Sequence, residues 1–456
     1  MRYDLAVVGG GPAGLAAAVT AARAGCRVAL LDSAPRLGGQ YWRHQDDSGH
    51  GHRSWDTFSA LRASLLSWQV EYRPGAAVWF VESDPDGFTL QQEGGPPVTA
   101  ARVVIATGAY DRSLPFPGWE LPGVVTPGAA QALLKGSGVA VGSRVVVAGA
   151  GPFLLPVAAG LLSAGVQVAG VYEAGAPLRY ARRPGALAAG KLAEAAGYAA
   201  TLARHRVPYR TRHAVVAAYG SGAVASVAVA RLDRRGRPVE GSRRPVECDA
   251  VAVGYGFTPQ LELPLALGCA TQLDVDGSLV LTVDIAGRTT VPGVYAAGEV
   301  TGVGGAELAL VEGRLIGAVA AIAAGRPAPM PEPELDRLLA ARSAHRRFAA
   351  LMHRVHAPPA GWLSWLADET LLCRCEEVPV SAVRAAVTSL GATDARAVKG
   401  LCRPGMGWCQ GRVCGYPTAA LTADLSGRAL SAADLVTFAR RPIAHPVQLG
   451  ELAAPE

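Results

Sequence analysis

The chain has 456 residues, half of them apolar and 18% charged, with a formal net charge of +6. A single core seldom outgrows about 250–300 residues, so this length implies two or three domains. The positive excess is spread thinly, with no Lys/Arg block and no aromatic–basic interleaving, which argues against a nucleic-acid partner.

The first predicted element is a strand, Leu5-Ala6-Val7-Val8, running into Gly9-Gly10-Gly11-Pro12-Ala13-Gly14. Because Asp4 and this glycine turn come at once, the N-terminal stretch does not read as a targeting segment. Gly9 permits the tight reversal, Gly11 lets the backbone approach a pyrophosphate, and Gly14 lets the next helix pack on the strand. The N–H groups that open that helix, around Pro12 and Ala13, then face the phosphates. Further on, the strand Val28 to Leu31 ends in Asp32, followed by Ser33, where a carboxylate accepts hydrogen bonds from a ribose. These parts specify a dinucleotide site without choosing between FAD and NAD. The loop beyond holds His44, Asp46, Asp47, His50 and His52; a solvated loop is expected there ahead of a metal site.

From Val145 to Tyr172 there is no charged residue, a length that would cross a bilayer. Gly149, Gly151, Pro152, Pro156, Gly160, Gly165 and Gly170 divide it, so a buried strand–helix–strand unit is expected instead. Here the turn repeats as Gly149-Ala150-Gly151-Pro152 and Glu173 stands where Asp32 stood. Leu154 replaces the third glycine and should hold the helix off the strand, loosening the phosphate cradle. Two readings stay open for this second site: NAD(H) or another adenine nucleotide, and a structural relic. No Arg adjoins Glu173 in sequence, which disfavours NADP.

Strand-like and Ala-rich helical runs alternate, giving the α/β class with two Rossmann-like dinucleotide-binding domains on parallel sheets. The expected boundaries are 1–112 with 246–328 for the first, discontinuous domain and 113–245 for the inserted second. A Pro-rich linker and helical segment follows over 329–367, then a small helical cysteine domain and tail over 368–456. His345, His353 and His356 on the Arg-rich helix are expected at the surface or at a subunit contact.

Of the eight cysteines, Cys26, Cys248 and Cys269 lie in apolar segments and read as core. Cys373, Cys375, Cys402, Cys409 and Cys414 crowd near the C-terminus, which suggests a metal site in a reducing compartment. Thiolates bind zinc and iron–sulfur clusters alike. The CxC and CxxxxC spacings depart from the paired CxxC knuckles of a zinc ribbon. Between them two short helices are expected, Ser381 to Leu390 closed by Gly391, and Asp394 to Leu401. No CxxC lies beside the first helix, so dithiol reductase chemistry is not expected. No nucleophile–base signature marks a catalytic residue.

Several motifs in order carry a family resemblance: the first glycine turn, Gly38-Gly39-Gln40, Ala106-Thr107-Gly108, Ala297-Gly298-Glu299 and Gly304-Gly305-Ala306. They resemble the two-dinucleotide-domain flavoprotein reductase superfamily, also called glutathione-reductase-like, which implies FAD in the first site. The resemblance implies FAD contacts from Gly9, Gly11, Pro12, Ala13, Gly14, Asp32, Ser33, Gly39, Gln40, Val78, Thr107, Gly108, Gly298, Glu299, Gly305 and Ala306. Glu299 stands where that family usually has Asp. At the second site the corresponding residues are Gly149, Gly151, Pro152 and Glu173.

The CxC pair and the run Arg403 to Cys414 resemble the bacterioferritin-associated-ferredoxin type of 2Fe–2S domain. That implies Cys373, Cys375, Cys409 and Cys414 as cluster ligands, with Cys402 a bystander. Across nearly the whole chain, the order of parts resembles the α subunits of heteromeric dye-linked dehydrogenases acting on opines, proline, hydroxyproline or glycine. The resemblance implies an electron-transfer subunit that serves an FAD-containing amine-oxidase-like β subunit, in some members with a small third subunit. It further implies FMN at a subunit interface, a respiratory acceptor, and a cytoplasmic location that extends to the inner membrane face. Two other classes remain: a self-contained NAD(P)H-dependent reductase, and a non-redox scaffold subunit with vestigial sites.

Overall fold

The computed structural model describes residues 2–45, 52–182 and 189–452. The chain divides into two compact units, Met1–Tyr110 with Pro259–Ala349 and Ala439–Glu456, and Asp111–Thr258 with Ala350–Phe438.

The first unit is built on a parallel sheet whose strands lie in the order Val294–Ala296, Val103–Ile105, Leu5–Val8, Val28–Asp32, Glu71–Pro74. Four of these strands are short apolar runs buried along their whole length, as a parallel sheet covered by helices on both faces requires. Their register is level: Val8 pairs with Leu31 and Ile105, and Ile105 with Ala296. Gly9, Asp32, Ala106 and Ala297 therefore emerge together at the carboxyl edge of the sheet, where open α/β folds bind ligands. The helices Pro12–Arg23 and Ala306–Ala323 pack on each other through small residues. A Cβ on Gly313 would stand 2.2 Å from the Ala13 carbonyl oxygen, and one on Gly317 2.5 Å from that of Ala17. A separate four-stranded sheet contains Val78–Asp84 and Gly87–Gln92 as a hairpin.

In the second unit the parallel sheet runs Val124–Val125, Ala250–Tyr255, Arg144–Ala150, Gln167–Glu173, Tyr209–Thr211. The uncharged stretch from Val145 to Tyr172 resolves into strand, the helix Leu154–Ser163, and strand. Among the described residues no helix is long and apolar enough to cross a membrane. A three-stranded antiparallel sheet, His213–Tyr219, Ser226–Arg231 and Arg244–Glu247, completes this fold.

The Pro-rich stretch leads into one long helix, Glu332–Val355. Beyond it, Trp362 and Trp365 enter the apolar core beside Tyr255, and Trp365 Nε1 donates to the Gly236 carbonyl at 3.1 Å. The cysteine region has a core of its own, made by Leu372, Val380, Val383, Val398 and Leu421 with Cys373 and Cys414. Its helices include Val380–Thr388, Ala395–Cys402 and Gly415–Leu425. Asp394 caps the second of these by accepting the Ala397 N–H at 2.8 Å.

Candidate cofactor sites

At the first glycine turn the fit is set by backbone contact. Gly9 has φ +111°, and a Cβ there would stand 2.3 Å from the Ala106 carbonyl oxygen. A Cβ on Gly14 would stand 1.8 Å from the Gly9 carbonyl oxygen, so any side chain would lift the helix from the turn. Gly11 is different: among the described residues its Cβ would meet within 4 Å just the Gly39 Cα, at 3.9 Å. The turn thus leaves room for a ligand against bare backbone. Gly11 caps the helix with no side-chain hydrogen bond, and Pro12 opens it, so its N–H groups are left for a phosphate. Ala13 packs beside Gly298, whose Cβ would lie 3.0 Å from that of Ala13.

Asp32 ends its strand 7% exposed. Its Oδ2 accepts the Gly10 N–H at 2.6 Å and its Oδ1 accepts the Ala34 N–H at 2.8 Å. Burial pushes its pKa up against those two bonds. Each oxygen keeps a lone pair for a ribose hydroxyl. Ser33 and Gln40 are exposed, and Gln40 Oε1 accepts from Arg43 Nε at 3.2 Å. Thr107 Oγ1 donates to the Gln260 carbonyl at 2.8 Å, and Gln260 N–H returns a bond to the Gly108 carbonyl. Val78 is buried at the start of its hairpin strand.

Glu299 supplies the clearest acceptor for a ligand hydroxyl. Its Oε1 accepts the Gly305 N–H at 2.9 Å, at the start of the helix opened by Ala306, while its enclosed Oε2 has no hydrogen-bond partner among the described residues. Burial pushes its pKa up to about 7, opposed by the Gly305 N–H and the charge of Arg346. An orphaned buried oxygen in this position fits a ribityl or phosphate-side hydroxyl of FAD.

Sequence reading missed the group that holds this loop. Glu312, fully buried, accepts the Gly298 N–H at 3.0 Å and the Thr301 hydroxyl at 3.2 Å. It also receives Arg342 Nε at 3.0 Å and Arg346 NH2 at 2.6 Å, while Arg346 NH1 donates to the Gly302 carbonyl. The available signal was a lone acid facing inward in an Ala/Leu helix, which must be paired to be buried.

The second glycine turn keeps its shape. Gly149 has φ +135°, and a Cβ there would lie 1.7 Å from the Gly254 carbonyl oxygen. After Gly151 and Pro152 the helix starts only at Leu154, whose side chain is buried in the apolar cluster, whereas the first site's helix starts at Pro12. Glu173 is 1% exposed. It accepts the Gly151 N–H at 3.1 Å and the Gly175 N–H at 2.7 Å. His356 Nδ1 lies 3.3 Å from its Oε2. The expectation that His356 sits at the surface is thus corrected: it is buried against an acid.

The histidine loop is corrected in part as well. His44 is buried, its Nδ1 2.7 Å from the Trp42 carbonyl and its ring against Trp55 and Phe58. Asp46, Asp47 and His50 lie outside the described residues.

In the cysteine region Cys373, Cys375, Cys409 and Cys414 lie close enough to shift one another's thiols. Hydrogen bonding with Cys414 is the main reason that Cys373 and Cys409 fall below the usual thiol range, while Cys414 itself is driven up. The glycine loop packs closely here: a Cβ on Gly407 would lie 2.5 Å from the Cys375 Cβ, and one on Gly405 2.8 Å from the Phe438 ring. Among the described residues no three His, Cys, Asp or Glu side chains converge as ligands of a single ion. Cys402 stands apart, its thiol donating to the Val398 carbonyl at 3.3 Å. Cys26, Cys248 and Cys269 are buried, and burial pushes each thiol up.

A family model described as pyridine nucleotide-disulphide oxidoreductase matches residues 3–325. An opine oxidase subunit of Agrobacterium tumefaciens (strain Ach5) is 35% identical, covering 99% of this chain and 91% of its own. Hydrogen cyanide synthase subunit HcnB of Pseudomonas aeruginosa is 34% identical, covering 91% of this chain and 92% of its own. Among solved structures, the L-proline dehydrogenase of P. horikoshii covers the whole of this chain and 80% of its own, with a TM-score of 0.73 at 22% identity. That last likeness is one of fold. The family match stops short of the cysteine region.

Proposed function

Since the chain belongs to the pyridine nucleotide-disulphide oxidoreductase family, we propose that it is the electron-transfer α subunit of a heteromeric FAD-dependent amino-acid or amine dehydrogenase. It is an FAD-dependent oxidoreductase by family, and its relatives named above are subunits of an oxidase and a synthase. An FAD-containing amine-oxidase-like β subunit would oxidise the opine, proline, hydroxyproline or glycine-type substrate. This chain would carry the electrons onward to a respiratory acceptor. FMN at the subunit contact, a small third subunit and a place at the inner membrane face belong to the same reading.

The observation that carries it is the presence in one chain of a bare-backbone nucleotide cradle and a group of four neighbouring thiols. FAD would take up an electron pair and release single electrons, which a 2Fe–2S cluster on Cys373, Cys375, Cys409 and Cys414 would accept. Gly11 and Gly39 leave room for a pyrophosphate, Asp32 would meet the ribose, and Glu299 offers a free acceptor lone pair. Glu312, through Gly298 and Thr301, fixes the turn that carries Glu299.

The purified chain should hold FAD with about two irons and two acid-labile sulfides. Stopped-flow mixing with NADH should leave the flavin oxidised. Zinc on the four thiolates would end the cluster assignment, and rapid bleaching by NADH would favour the self-contained reductase.

A further inference from the structure

The two glycine turns end on acids in the same position, yet their surroundings differ. Asp32 holds two backbone N–H groups, and among the described residues no side-chain donor is placed against it. Glu173 repeats that pattern with Gly151 and Gly175, and then has His356 Nδ1 packed 3.3 Å from its Oε2 without a hydrogen bond between them. Both side chains are enclosed, 6% exposed for His356 and 1% for Glu173. The histidine arrives from the segment that follows the helix Glu332–Val355, and its backbone comes equally close. A Cβ on Gly175 would lie 2.9 Å from the Val355 carbonyl oxygen and 3.3 Å from His356 Nδ1.

Aromatic groups complete the enclosure. The Tyr180 ring packs on the imidazole with centroids 5.6 Å apart. Tyr255 is fully buried, and its hydroxyl has no hydrogen-bond partner among the described residues. Burial, and then the charge of Glu173, push the pKa values of Tyr180 and Tyr255 up. A ribose needs its hydroxyl pair in contact with the acid at the end of this strand. Here the approach to that acid is filled by an imidazole.

We propose that the second nucleotide fold is shut by its own chain: His356 holds the place at Glu173 that the ribose of an adenine dinucleotide would take, and NADH does not enter. This deepens the relay reading, on which it rests, because it removes the route by which the subunit would draw electrons from a nicotinamide. The long helix Glu332–Val355 thereby has a second task beyond pairing Arg342 and Arg346 with Glu312, since its C-terminal end delivers the plug.

The test uses FAD-loaded protein, so that the first site is occupied, and titration calorimetry with ADP-ribose and NADH as probes. Wild type should give no measurable binding. His356→Ala should bind ADP-ribose with an affinity at least about tenfold above the weakest that the titration detects, because the competent state is no longer a minor one. Adding Glu173→Gln in that background should abolish the gain. If His356→Ala does not fold, Tyr180→Ala, which frees the imidazole without touching the acid, should give a smaller gain in the same direction. Absence of any gain in the folded variants overturns the proposal. So does wild-type binding that Glu173→Gln removes. In that event, NADH that binds without bleaching the flavin leaves the relay standing, whereas NADH that binds and bleaches it ends both.

Discussion

Gly14 and Glu299 carry the first site in opposite ways, one by lacking atoms and the other by having one unused. Gly14→Val would drive a Cβ to 1.8 Å from the Gly9 carbonyl oxygen. Overpacking of this kind costs about 1–3 kcal/mol. FAD content, read from the visible spectrum after gel filtration, should fall to a small fraction of the parent's. Glu299 predicts a pH dependence. Its carboxyl binds a proton more tightly in the folded protein than in the unfolded chain, with a pKa pushed up to about 7 from 4.5. Its contribution to stability is therefore complete below the unfolded value and is lost as pH rises through about 7. In flavin-free protein, Glu299→Gln should remove this loss. Urea unfolding should find the variant more stable than its parent at about pH 8, by up to about 3 kcal/mol, with the advantage shrinking towards pH 5. A parent whose stability is flat across that window would contradict the assignment.

At the level of elements, the first sheet is held to its cover by two helices that meet backbone to backbone. Gly313→Leu should prise the helix Ala306–Ala323 from Pro12–Arg23, since even a Cβ would stand 2.2 Å from the Ala13 carbonyl oxygen. The expected outcome is a lowered urea midpoint together with loss of FAD, because Glu299 and Ala13 are both displaced. A variant that loses stability yet retains flavin at parental affinity would show that this contact does not position the cradle. Much of this level was legible in the sequence. The strand–turn–helix order and the two short helices of the cysteine region, one closed by Gly391 and one beginning at Asp394, are encoded within a few residues of where they act. Leu154 was read as holding its helix off the strand; in the fold it opens that helix two residues after Pro152, with its side chain buried. What escaped was pairing across distance. Glu312 meets Arg342 and Arg346 across a Pro-rich linker. Arg441, near the end of the chain, pairs with the buried Glu262 at 3.2 Å.

For the whole molecule, the glycine cradle and the four neighbouring cysteines lie in different units, so under the proposed relay the flavin and the cluster should be lost independently. Cys409→Ser should strip the chain of iron while leaving its flavin stoichiometry unchanged, as judged by iron analysis and the flavin spectrum. Flavin photoreduction should persist, but electrons should no longer reach a one-electron acceptor. Joint loss of both groups would contradict that independence. The sequence by itself determined the α/β class, the two glycine turns with their acids, and the four cysteines, because backbone sterics and ligand chemistry act between neighbours along the chain. Only the tertiary structure decided which buried charges meet. It placed Glu312 under the turn of Glu299, and it set His356 against Glu173 where a nucleotide had been one of two open readings. A buried charge must find its partner wherever the fold brings one, and sequence separation carries no record of that meeting.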